Sequence, residues 1–235
     1  MNHDFFKGIK QWDFSWQGMP GKLPVFYYDT TSITAIYSAS TSKVKKLLPH
    51  PQMRPVEILP GKSLVAFTAF EYRKTDIDPY NEFSIAFLIT FDKTQIPLFT
   101  AAAQLWRRRI SAYIWQLPVT TEIARVGGVD LYGYPKFIAD IEFQKETDRL
   151  TCNLSENGKK ILSLSGKILS TKKEKVSRVV TYSVLESIPL VANIYFNPLE
   201  IARSNDKQAA TLEVGTDHRI CEELRKIGLS AAKGS

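Results

Sequence analysis

A chain of 235 residues, 44% hydrophobic and 23% charged, can bury a sizeable core as one domain or at most two, and its composition excludes fibrous and disordered classes. The formal net charge of +7 favours anionic ligands, but the basic residues are mostly scattered, which argues against a nucleic-acid interface. Cys152 and Cys221 are too few for a disulfide framework, and the longest apolar run, Ile96 to Trp106, is too short for a membrane helix.

The expectation is therefore a cytoplasmic protein with no membrane segment. The N-terminus, Met1 to Lys7, lacks the apolar stretch of a secretory signal. His3, His50 and His218 have no close metal-ligand spacing, so no metal is expected.

Residues 1–22, with Gly8, Gly18, Pro20 and Gly21, read as a loose N-terminal arm in which Trp12, Phe14 and Trp16 alternate. Residues 23–235 read as a single domain. Val25 to Ser38 is rich in Tyr, Thr, Ile and Val and predicts two short strands turning at Asp29-Thr30. Thr41-Ser42 is expected to cap a short helix, Lys43 to Leu48, that Pro49 ends. Strands follow at Leu64–Phe70 and, after a loop over Thr75–Asn81, at Phe83–Phe91, with Glu82 opening the second.

Leu98–Arg109 predicts a helix and Ser111–Leu117 a strand. Arg107-Arg108-Arg109 beside Trp106 is a candidate anion patch or a solvated face. Thr120-Thr121-Glu122 predicts a helix start, running through Arg125 to Gly127. Further strands are expected at Lys136–Gln144, Leu150–Leu154 and Ile161–Leu169, the last two joined across Asn157-Gly158, and then at Val176–Leu185, Val191–Phe196 and Thr211–Val214. Thr216-Asp217 is expected to cap a last helix, Arg219–Ile227, stopped by Gly228. The sum is a mostly β protein with a few short helices (α+β), and so many strands point to a curved or closed antiparallel sheet.

The stretch from Gly127 to Phe137 stands apart, because three glycines and a proline interrupt an apolar sequence and a single lysine follows the proline. Lys136 is expected behind a rigid turn at the start of a half-buried strand, among Leu131, Tyr132, Tyr134, Phe137 and Ile138. A neutral lysine amine attacks carbonyls to form a Schiff base, whose iminium then accepts electrons. A solvated lysine, with a pKa near 10.4, is neutral in only about one molecule in a few thousand at pH 7. Bringing that value near 7 takes about 4–5 kcal/mol of differential destabilisation of the ammonium, which burial among apolar groups supplies.

The run Gly128-x-Asp130-x-x-Gly133-Tyr134-Pro135-Lys136 resembles the signature of the acetoacetate decarboxylase family. Lys45 to Pro51, Leu64 to Phe70 and Pro79-Tyr80-Asn81-Glu82 are similar to other parts of it. The resemblance implies a cone-like closed antiparallel sheet with flanking helices, a tendency to form homo-oligomers, and Lys136 as the Schiff-base residue. It implies Glu82 as the acid/base partner, with Tyr134, Tyr132, Phe137 and Arg125 as substrate-binding candidates and Arg125 as a replacement cation. No cofactor is required, because the iminium is the electron sink. The implied ligand is a small keto acid or related carbonyl compound, without nucleic acid or membrane.

The chain departs from the family pattern at the second lysine, where it has Phe137, at an arginine that falls on Thr30, and at a second glutamate that falls on Thr68. Three readings stay open: decarboxylation of a keto acid, aldol or dehydration chemistry on a larger keto acid, and binding of a small molecule without turnover.

Overall fold

The computed structural model describes residues 3–93 and 96–231. Fifteen strands are present among these residues: β1 (Trp12–Trp16), β2 (Met19–Leu23), β3 (Tyr27–Ser40), β4 (Met53–Pro55), β5 (Glu57–Leu59), β6 (Lys62–Thr75), β7 (Tyr80–Phe91), β8 (Arg109–Gln116), β9 (Asp140–Lys145), β10 (Arg149–Glu156), β11 (Lys159–Lys167), β12 (Ser177–Leu185), β13 (Ile188–Phe196), β14 (Ala210–Val214) and β15 (Ser230–Ala231). Four α-helices join them: α1 (Thr41–Lys45), α2 (Phe99–Trp106), α3 (Glu122–Tyr132) and α4 (Arg219–Ile227). None is long and apolar enough to cross a membrane.

The larger sheet runs in the order β13-β12-β8-β7-β6-β3-β15, with β4 on β7 and β5 on β6, and a four-stranded sheet runs β14-β11-β10-β9. The mostly β, α+β reading holds, but the larger sheet is mixed, because β12 and β8 pair in parallel. The two sheets enclose the main core. From the larger sheet come Val65, Phe67 and Ala69 of β6 and Phe83, Ile85, Phe87 and Ile89 of β7. From the other side come Cys152, Leu154, Leu162 and Leu164, with Ile220, Cys221, Leu224 and Ile227 of α4.

Strand periodicity then puts the intervening residues on the opposite face of the larger sheet. On β6 these are Thr68, Phe70 and Tyr72; on β7 they are Tyr80, Glu82, Ser84 and Ala86. The cross-strand register agrees, with Tyr72 opposite Tyr80, Phe70 opposite Glu82 and Thr68 opposite Ser84. This second face carries the candidate site.

Several elements differ from the expectations. The N-terminal segment is not a loose arm: β1 and β2 form a hairpin, tied to α3 by the Trp16 indole donating to Asp130 at 3.0 Å (residues 1 and 2 of that segment lie outside the described residues). Tyr27–Ser40 is one strand of 14 residues and not two, because bulges on either side of Asp29 absorb the irregularity and Arg73 takes the Asp29 carboxylate. The first helix begins at Thr41, whose hydroxyl is buried without a partner and caps nothing. Helix α3 passes through Gly127 and Gly128 and stops at Gly133, which takes the left-handed conformation glycine favours. His218, and not Thr216-Asp217, is the cap of α4, accepting from Ile220 N at 3.2 Å.

Phe83 is fully buried directly beneath Glu82 and supports the site from the core side. Phe83→Ala is expected to destabilise the fold by about 3–5 kcal/mol. At about 2–4 °C per kcal/mol for a chain of this size, a thermal melt should show a fall of roughly 6–20 °C.

Candidate active site

Three stretches of backbone run side by side where the site forms. Phe83 N donates to Pro118 O at 3.0 Å and Thr120 N to Asn81 O at 3.1 Å, which fastens residues 118–120 to the start of β7. Leu117 N donates to Pro135 O at 3.3 Å, Val119 N to Phe137 O at 2.9 Å and Ala139 N to Val119 O at 3.0 Å, which fastens residues 135–139 to the same segment. Residues 136–139 are thus held by a single parallel bridge at Ile138, and the strand expected from Lys136 begins only at Asp140.

The approach to Lys136 is a tight one. Tyr134 N returns to Gly128 O at 3.0 Å as α3 ends, and Lys136 N then donates to Tyr134 O at 2.8 Å across Pro135. A three-residue turn of this kind suits the fixed φ of proline. It directs the Lys136 side chain back over α3. A Cβ built on Gly128 would lie 2.4 Å from both Cδ and Cε of Lys136, so only glycine leaves room for the lysine stem at that position.

Lys136 Nζ donates to Glu82 Oε2 at 2.7 Å, and only 7% of the lysine side chain and 10% of the glutamate side chain are exposed. Lys136 is the only cation hydrogen-bonded or ion-paired to this glutamate among the described residues. Tyrosines enclose the pair. Tyr72 OH approaches Glu82 Oε1 at 3.4 Å and Tyr80 OH approaches Oε2 at 3.5 Å, both at the outer limit of hydrogen bonding. Tyr27 OH meets Tyr80 OH at 3.1 Å, and the Tyr80 ring centroid is 5.7 Å from Lys136 Nζ.

Tyr132 and Tyr134 stack at 5.8 Å, and Tyr134 OH bonds Thr181 Oγ1 at 2.6 Å. Burial, reinforced by the negative charge of Glu82, pushes the Tyr27, Tyr72 and Tyr80 hydroxyls well above the usual tyrosine range. Burial likewise pushes Tyr134 up to about 12 and raises Tyr132. All five therefore remain protonated at neutral pH, with hydroxyl protons to donate.

Of the residues singled out from the sequence, Lys136 and Glu82 touch, and Tyr134 and Tyr132 border them. Phe137 does not face the site; it packs against the main core, because alternate residues of an extended segment point to opposite sides. Arg125 is drawn to Glu122 one turn back, at 2.9 Å, and rests on the surface of α3 as an i,i+3 ion pair, not as a cation beside Lys136. Thr30 opposes Tyr72 and Thr68 opposes Ser84, so both threonines lie on the face of the sheet that bears Glu82.

Tyr27, Tyr72, Tyr80, Gly128 and Thr181 were not singled out as site residues. Strand period carries a signal for Tyr80, two residues before Glu82, and hairpin pairing across Thr75–Pro79 carries one for Tyr72. Gly128→Ala is expected to displace the lysine stem and lower Schiff-base formation at Lys136 at least about tenfold. The melting temperature should fall by only a few degrees, since alanine gains about 1 kcal/mol of helix propensity over glycine. Trapping kinetics beside a thermal melt check both.

The model of the acetoacetate decarboxylase family matches residues 14–192. No curated protein sequence matches the chain significantly. Among solved structures, one described as acetoacetate decarboxylase is 14% identical over 84% of this chain and 78% of its own, with a TM-score of 0.57. The acetoacetate decarboxylase of Legionella pneumophila subsp. pneumophila str. Philadelphia 1 is 12% identical over 88% and 79%, with a TM-score of 0.58. The enduracididine biosynthesis enzyme MppR, solved with pyruvate, is 12% identical over 85% and 80%, with a TM-score of 0.52. The same enzyme is also solved with the condensation product of pyruvate and imidazole 4-carboxaldehyde. At these identities the likeness is one of fold, whereas the family match spans most of the chain, and this protein belongs to the acetoacetate decarboxylase family.

Proposed function

We propose that the protein is a Schiff-base carboxy-lyase in which Lys136 condenses with the ketone of a small keto acid. The observation that carries this reading is the 2.7 Å contact between Lys136 and Glu82 with both side chains nine-tenths or more buried. Burying two opposite charges costs several kcal/mol per ion and seldom gains stability over an apolar pair, so such a pair is poorly explained by stability alone.

Each group has a role in the reaction. Glu82 takes a proton from Lys136, and the free amine attacks the ketone carbon. Loss of water gives the iminium. The bond to the carboxylate then breaks, its electron pair moves into the iminium to form an enamine, and carbon dioxide leaves. Glu82, which has given its first proton to the departing hydroxyl and regained one from solvent, protonates the enamine carbon, and water then releases the ketone and regenerates the lysine ammonium. Tyr134 orients the bound carbonyl.

The substrate carboxylate loses its charge as carbon dioxide forms. The tyrosine rings and the Glu82 carboxylate beside Lys136 therefore disfavour the ground state more than the transition state. Such a site needs no arginine for the departing group, which fits Thr30. The proposal extends to the cone-like closed sheet that the family resemblance implies, with the face bearing Glu82 turned inward.

A second reading keeps the enamine and adds it to an aldehyde in place of a proton. The Tyr134–Thr181 hydroxyl pair supports it, since one proton is spent in their mutual bond and the other is left for a second carbonyl oxygen, and MppR binds such a condensation product.

Borohydride added with acetoacetate, pyruvate and longer keto acids should leave a stable mass increment on Lys136. Carbon dioxide release marks the first reading and carbon–carbon condensation the second. Glu82→Gln should slow turnover about 10²–10⁴-fold, the usual contribution of a positioned acid/base. No adduct on Lys136 with any member of the panel overturns both readings and leaves a protein that binds without turnover.

A further inference from the structure

Four arginines line one cleft, of about 290 Å³. Arg107 follows α2, Arg108 adopts a left-handed backbone at φ 50°, and Arg109 begins β8. Arg178 of β12 is brought beside them, since its N donates to Arg108 O at 3.0 Å and it opposes Arg109 in the parallel register. Ser177 and Tyr195 add two hydroxyls, and no carboxylate lines the cleft.

The partners of these arginines are few. Glu174 approaches Arg108 at 3.5 Å but is held more closely by Arg203, at 3.0 Å. The guanidinium groups of Arg107, Arg109 and Arg178 have no hydrogen bond or ion pair among the described residues. Four like charges with one carboxylate, shared with Arg203, beside them repel one another, and a left-handed non-glycine residue that fans them together adds backbone strain. An anion in the cleft removes the repulsion.

We infer that this cleft is a binding site for a phosphate-bearing ligand. Guanidinium groups match phosphate with paired, charge-assisted hydrogen bonds, and several converging arginines suit a dianionic or more highly charged group. The volume takes a diphosphate or a phosphorylated head group. Two sources share that chemistry. One is a soluble phosphorylated compound. The other is an anionic lipid surface, for which Trp106 and Phe99 are the neighbouring apolar anchors, at 84% and 70% exposure. The cleft lies at the start of β8 and β12, three residues or about 10 Å along β12 from Thr181, the hydroxyl partner of Tyr134. None of the residues that line it is one to which the chemistry at Lys136 is assigned.

The test is calorimetric titration of the full chain with pyrophosphate at low ionic strength. Saturable one-to-one binding is expected. It should be weakened at least about tenfold in Arg107→Gln/Arg109→Gln/Arg178→Gln, the usual scale for several charge-assisted contacts. A control of equal charge change, Lys45→Gln/Lys46→Gln/Lys159→Gln, should weaken it no more than about twofold, as expected for screened distant charges.

Cosedimentation with phosphatidylglycerol–phosphatidylcholine vesicles separates the sources. Vesicle binding that is lost in both the arginine triple and Phe99→Ser/Trp106→Ser assigns a lipid surface. Pyrophosphate binding that Phe99→Ser/Trp106→Ser leaves unchanged, without vesicle binding, assigns a soluble ligand. Absence of binding in both experiments, or equal weakening by the arginine and lysine triples, overturns the site.

Discussion

A lysine and a glutamate 54 residues apart meet at 2.7 Å with no more than a tenth of either side chain exposed, and the surrounding elements are shaped by the cost of holding two charges there. The segment 117–120 serves as a splint, because it hydrogen-bonds the start of β7 on one side and residues 135–139 on the other. Glu82 and Lys136 are thereby brought to one side of the layer while Phe83 and Phe137 are sent into the core. Gly128 is required by the same arrangement, since the lysine stem occupies the space of a Cβ.

The chemistry of the site face follows from what surrounds the pair. Hydroxyl groups dominate it: tyrosines at the pair, Thr181 beside Tyr134, and Thr30 and Thr68 on neighbouring positions of the sheet. Buried hydroxyls that keep their protons donate hydrogen bonds without bringing charge. Such hydroxyls orient a carbonyl and bring no cation to a carboxylate, in accord with a reaction in which that charge disappears.

Much of this was legible in the sequence, and the missing parts have identifiable physical causes. Pro135-Lys136 and Tyr80-x-Glu82 pointed to the two charged groups, whereas Phe137, expected at the substrate, packs against the main core because an extended segment sends alternate residues to opposite sides. The five-tyrosine enclosure was not legible as a whole. Tyr27 lies beyond two bulges around Asp29, one on each strand, whose offsets cancel so that it opposes Thr75, and no local pattern announces those bulges. Gly128 was hidden because paired glycines read as a helix stop, whereas tertiary packing of the lysine stem outweighs their poor helix propensity. Arg125 was mistaken for a site cation because sequence alone does not show that Glu122, one turn away, takes it.

The central claim is that Lys136 and Glu82 act together on a bound carbonyl. Its most direct test is exchange of ketone α-protons in deuterium oxide, followed by NMR, because enamine formation needs only the amine and the proton-transfer group and no carboxylate. The account predicts deuterium incorporation into a simple ketone such as acetone well above the buffer rate, abolished in Lys136→Ala and strongly slowed in Glu82→Gln. Exchange no faster than in buffer, or exchange that survives Lys136→Ala, would contradict it.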